Sequence, residues 1–246
     1  MNKFFTSNRP ITNVFKNANS NSEVVTQLIY GDQFSIKKET KNWFKIKISH
    51  DGYQGFIKKR NYQNYVKPTH KISVISAKIY KKPNTFQHVS ELTFGSKIKI
   101  NKKGKKFSKY ENRWVENKNF KPIKYVNTNI FNKIKIFENT KYKWGGKSFK
   151  GIDCSALVQV FFNFNNKYCP RDAKDQIRFF KKNISLKNLK KNDIIFWKGH
   201  VAVSISKKKL LHAYGPSKKT LVMNIKHAIQ LIDKTANLKV LKIKRI

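Results

Sequence analysis

The chain has 246 residues, 39% of them apolar, and a formal charge of +41. That length suits one or two domains, or small modules ahead of a catalytic domain, and that apolar share excludes a disordered polymer. The excess of 54 basic over 13 acidic residues invites a nucleic-acid reading, but only six of the basic residues are Arg, the type that reads phosphates and bases bidentately. The Lys are also spread along the whole chain. The charge is therefore read as composition bias, with weak, salt-sensitive attraction to polyanions and no specific nucleic-acid partner.

Two cysteines, Cys154 and Cys169, make no disulfide framework and no paired metal spacing, so no metal or organic cofactor is implied. No apolar run has signal-peptide or membrane-spanning length, which sets the expectation of a soluble, reducing, cytoplasmic protein, with export left open. Oligomeric state is not legible.

Residues 1–66 read as short strands: NVF, EVVTQLI, QFSIKKE, WFKIKIS and GYQGFIK. Turn signals at Gly31-Asp32, Lys41-Asn42 and Asp51-Gly52 separate them. Residues 67–126, opened by Lys67-Pro68, repeat the plan in KISVISAKIY, VSELTFGSKIKI and RWVENKNF. FGSKIKI parallels YGDQFSI, and NRWV parallels NWFK. Both units resemble bacterial SH3-like modules, which implies two small β-barrels that bind or position wall peptides. Residues 127–246 place helix candidates at NTNIFNKIKIFENT, CSALVQVFFNF, DAKDQIRFFKK and HAIQLIDKTA. The strand candidates are DIIFW, HVAVSIS, KLLHAY, TLVMNI and LKVLKI. The fold class is α+β.

Cys154 follows a glycine-containing loop, YKWGGKSFKGID, and opens an apolar run, so it falls at a helix start. Backbone N–H groups there favour a thiolate and can hold an oxyanion. Two of the six histidines stand in GHVAVSISKKKLLHAYG. A three-residue loop at Ser206–Lys208 would set Ala202 opposite His212 and put His200 on the same face, roughly 7–8 Å away on the diagonal. A two-residue loop would put the two rings on opposite faces. Cys154 as nucleophile, His200 as base and His212 as orienting group follow the logic of Cys–His hydrolases.

The pieces YKWGG, GIDCSALVQ, CPRDAKDQ, NDIIFWKGHVAV and LLHAYG, in that order, resemble the NlpC/p60 superfamily of cell-wall endopeptidases. With the SH3-like units in front, the chain resembles γ-D-glutamyl-L-diamino-acid endopeptidases, which cut peptidoglycan stem peptides between D-Glu and the diamino acid. The resemblance implies a papain-like domain with Cys154, His200 and His212 in the catalytic roles and Tyr142 shaping the oxyanion region. It assigns the free N-terminal ammonium of L-Ala to a pocket with Asp153, Ser155, Glu23 and Tyr53. Arg171 and Asp172 read equally as substrate contacts or as a structural ion pair. Ala156, Ala173 and Asn192 depart from the residues usual there. Cys169 reads as structural, with a redox role open. Two other functions stay open: an amidase or acyltransferase built on the same site, and a non-enzymatic wall or polyanion binder.

Overall fold

Turn chemistry organises the first unit. In this computed structural model, which describes residues 3–83 and 85–246, Gly31 and Gly52 take φ of +83° and +74°, a region closed to most side chains. Between such turns run the strands Val24–Ile29, Gln33–Glu39, Trp43–Ile48 and Gln54–Lys58. Together with Phe4–Thr6, Ile11–Phe15 and Gln63–Asn64 they form a seven-stranded antiparallel sheet. Alternate residues on it, among them Leu28, Phe34, Ile46 and Ile57, make the unit's core.

The second unit repeats this plan, and its Gly95 has the same φ of +83° as Gly31. Its strands divide between a five-stranded and a three-stranded sheet. The run KISVISAKIY, expected as one strand, breaks into His70–Ile72 and Ser76–Tyr80, one in each sheet. Among the described residues the hydrogen-bonded ladder of each unit is an open strand order.

The remaining residues build a six-stranded antiparallel sheet. Its order is Lys182–Asn183, Lys242–Arg245, Ile194–Trp197, His200–Ser204, Lys209–Tyr214, Lys219–Asn224. Three helices accompany it: α1 (Cys154–Phe164), α2 (Ala173–Phe179) and α3 (Ile225–Ala236). Val201, Val203, Leu211 and Ala213 share a core with α1. Ala202, Leu210 and Tyr214 share one with Ile225, Ala228 and Ile232 of α3. Strand alternation thus feeds a helix on each face.

Two expectations fail here. NTNIFNKIKIFENT is not an α-helix but turns around a short 3-10 segment, Ile134–Phe137. Lys133 and Asn139 sit in the left-handed region there, and Ile130, Phe131, Ile134 and Phe137 are buried with α1, so packing overrides the helical period. The last strand is Lys242–Arg245 rather than LKVLKI. Leu238 and Val240 pack on the α3 core instead.

Both amino-terminal units are fastened to this domain. Phe94 of the second inserts into the α1 core, its ring centroid 4.6 Å from that of Phe164 and 4.9 Å from that of Phe161. Lys71, buried, donates to the Phe164 carbonyl and to Asn166 Oδ1. From the first unit, Asp32 meets Lys147 at 3.0 Å with both side chains buried, and Asp51 accepts from Gln159 Nε2 at 2.9 Å. No helix among the described residues is long and apolar enough to cross a membrane.

Candidate active site

Asp153 is the N-cap of α1. Its Oδ1 accepts from the Ala156 N–H at 2.8 Å, and the helix begins on Cys154. The same carboxylate takes the Ser155 hydroxyl (3.1 Å), the Gly145 N–H (3.0 Å) and both terminal nitrogens of Arg171 (3.1 and 2.5 Å). Arg171, 3% exposed, also donates to Ser155 Oγ and, across the domain seam, to Thr26 Oγ1. Asp153, Ser155 and Arg171 are thus brought together and saturate one another. The ion pair considered between Arg171 and Asp172 is not made. Asp172 instead accepts from Tyr53 Oη at 3.2 Å.

Cys154 Sγ lies against the backbone on either side of His200, 4.0 Å from the Gly199 carbonyl oxygen and facing the Val201 N–H. Burial, then the Asp153 carboxylate, push its thiol up to about 12, against the pull of the Val201 and Ser155 N–H groups and Arg171. The helix start is where the sequence places it, and burial opposes the thiolate that the helix start favours.

The histidine hairpin has the three-residue loop. Val203 pairs with Leu211 and Ser204 with Leu210, which sets Ala202 against His212 in register. The diagonal contact is made, with His200 Nε2 3.0 Å from His212 Nδ1. Burial pulls His200 down to about 3, aided by His212, and pulls His212 down to about 4, so both rings are neutral near pH 7. The Tyr214 ring stacks on His212 at 5.0 Å and 9°. Tyr142 packs at the rim of the α1 core. Burial, then the charges of Cys154 and Asp153, raise its phenol, which stays a neutral donor.

A cleft of about 370 Å³ opens over Cys154. Catalytic-domain residues on its lining include Trp144, Gly145, Asp172 and Lys174; Lys16, Glu23, Val25 and Tyr53 come from the first unit. Glu23 Oε1 accepts from Trp144 Nε1 at 2.7 Å, and its Oε2 lies 3.5 Å from Lys16 Nζ. Gly145 lets the two domains meet, since a Cβ there would sit 2.1 Å from the Val24 carbonyl oxygen. Trp144 and Lys16 were not singled out from sequence. Trp144 lies inside YKWGG, but its partner is 121 residues away. Among the described residues the second unit contributes nothing to the cleft lining. Asn192 has φ of +75°, a left-handed geometry that Asn tolerates better than most residues. Cys169 is fully buried and unpaired, its carbonyl accepting from Gln159.

Comparison with known proteins agrees with this architecture. Residues 139–233 match the NlpC/P60 family, and residues 14–61 match the bacterial dipeptidyl-peptidase Sh3 domain. Dipeptidyl-peptidase 6 of Lysinibacillus sphaericus is 39% identical over 74 residues, 30% of this chain and 27% of that protein. A probable endopeptidase NlpC homolog of Haemophilus influenzae is 37% identical over 78 residues, 30% of this chain and 42% of that protein. The matches thus span less than half of either relative. Among solved structures, an NlpC/P60 family protein from Bacillus cereus superposes with a TM-score of 0.83 at 16% identity, covering 98% of this chain and 99% of that one. An NlpC/P60 endopeptidase from Photobacterium damselae gives 0.64 at 13% identity, over 98% and 70%. The chain carries an NlpC/P60 domain behind a bacterial SH3 domain.

Proposed function

We propose that this protein is a cysteine endopeptidase that hydrolyses the γ-D-Glu–diamino acid bond of peptidoglycan stem peptides bearing a free N-terminal L-Ala. One observation carries the reading: Glu23, Tyr53 and Asp172 line the same cleft as Cys154. Two carboxylates and a phenol suit a primary ammonium, which donates three hydrogen bonds and carries one charge. Asp153, already saturated, supports the nucleophile rather than the ammonium.

In this reading the Cys154 thiol passes its proton to His200 as sulfur attacks the γ-carbonyl carbon. The oxyanion is held by N–H groups at the start of α1 and by the Tyr142 hydroxyl. The C–N bond breaks, the leaving amine takes the proton back from His200, and water attacks the thioester to release the γ-D-glutamyl product. The test is mass spectrometry of products from L-Ala-γ-D-Glu-diamino acid peptides, free and N-acetylated. The expected result is cleavage of the free peptide alone, abolished in Cys154→Ala. Equal cleavage of both peptides would remove the ammonium pocket, and activity surviving in Cys154→Ala would remove the mechanism.

A further inference from the structure

We infer that Met223 is a positioning residue that fixes the tautomers of both histidines and thereby leaves His200 Nδ1 free to accept a proton. The inference rests on the reading of Cys154 and His200 as nucleophile and base. It begins from register. Leu221 lies opposite His212 in the ladder between Lys209–Tyr214 and Lys219–Asn224, and Met223 lies opposite Leu210. Met223 is therefore two residues along from the partner of His212 and shares its face. His200, His212 and Met223 stand as successive diagonal neighbours on three adjacent strands. The contacts are made: His200 Nε2 to His212 Nδ1 at 3.0 Å, and His212 Nε2 to Met223 Sδ at 3.2 Å.

A thioether sulfur has no proton and can only accept. His212 Nε2 must then carry the hydrogen, and its Nδ1 is a bare lone pair. That lone pair accepts from His200 Nε2–H, because a neutral imidazole holds one hydrogen. His200 Nδ1 is left unprotonated. When His200 takes a proton it becomes an imidazolium with a new Nδ1–H and with Nε2–H still bonded to His212, and His212 does not change. The reverse chain, with His212 Nδ1–H donating to His200 Nε2, would put the hydrogen on His200 Nδ1 and leave His200 no free lone pair. It would also turn a lone pair on His212 Nε2 toward sulfur. Tyr214 holds the ring in place for this. It stacks on His212, and its hydroxyl bonds Thr235 Oγ1 at 3.1 Å.

The test is nitrogen-15 NMR of histidine-labelled protein at neutral pH. In a Cys154→Ala background it needs no substrate and is blind to whether stem peptides are cut. His212 is expected to show a pyrrole-type Nε2 and a pyridine-type Nδ1. The opposite pattern in the parent protein overturns the inference, whatever any variant does. Met223→Leu keeps bulk and removes the acceptor; it should move His212 toward a tautomer mixture. In the Cys154 enzyme it should lower kcat about tenfold with KM within about twofold. Met223→Gln restores an acceptor oxygen and should recover most of the rate. Unchanged nitrogen shifts and kcat in a folded Met223→Leu protein would reduce Met223 to packing.

Discussion

Cys154 is buried beside a carboxylate, so its charge at rest is decided by desolvation rather than by the helix start alone. Below its pKa the thiolate fraction grows about tenfold per pH unit. Alkylation of Cys154 by iodoacetamide should therefore climb steadily from about pH 6 to about pH 9; a rate already flat from about pH 6 would mean a preformed ion pair instead. On the cleft lining, Glu23 bonds Trp144 and pairs with Lys16, and Asp172 accepts from Tyr53, so both carboxylates hold fewer partners than Asp153. Glu23→Gln and Asp172→Asn should each raise KM for free-amine peptides about 10- to 100-fold with little change in kcat, and steady-state kinetics on paired free and acetylated peptides would show it. If kcat falls with KM unchanged, those residues act on the chemistry and not on the ammonium. Residue identities were the most legible layer. DCS and the two strand histidines stand in the sequence with a spacing that a hairpin makes meaningful. Met223 was not legible, because nothing local marks a methionine in a strand as the neighbour of a histidine across the ladder.

The start of α1 shows what one element must carry here. Asp153 caps the helix, holds Gly145 and neutralises Arg171, all in a buried setting. Breaking a buried ion pair from one side costs about 3–5 kcal/mol, because the other charge is left unpaired. Asp153→Ala should lose about that much in urea unfolding. Asp153→Asn, which retains an oxygen for the cap, should lose less. Equal losses would mean that the cap, worth about 1 kcal/mol, and the ion pair are not separable. The helix itself was legible as an apolar run opening on Cys154, while α3, expected from His227, starts two residues earlier behind its Asn224 cap. The stretch before α1 was not. Its apolar residues recur with helical spacing, yet they fill space beside Phe161 and Phe162 from turns with left-handed residues. Spacing alone cannot distinguish a helix from a loop that buries the same side chains.

At the scale of the molecule the three parts share buried surfaces. The seam that lends Glu23 and Tyr53 to the cleft is set by Thr26–Arg171, Asp32–Lys147 and Asp51–Gln159, each pairing a residue of the first unit with one of the catalytic domain. None of these long-range partners could be read from the sequence, where each is one polar residue among many. They also tie stability to pH. His200 and His212 are held below the ordinary value of 6.5 by burial, so the unfolded chain binds protons that the folded one refuses. Their contribution is fully present above about pH 6.5 and is lost as pH falls toward about 3 to 4. Asp32 and Asp51 are held below 3.8 despite their burial, by Lys147 and His50 respectively among other groups. Their contribution persists to about pH 4 and is lost only below it. Acid should therefore weaken the protein in two stages, the histidines first. Urea midpoints measured from about pH 7 down to about pH 4 should fall throughout, and His212→Asn should flatten that first stage while leaving the loss below it intact. A midpoint constant between about pH 7 and about pH 5 would mean that both rings take up protons equally in the folded and unfolded chain, and the claim that burial keeps them neutral would fall with it.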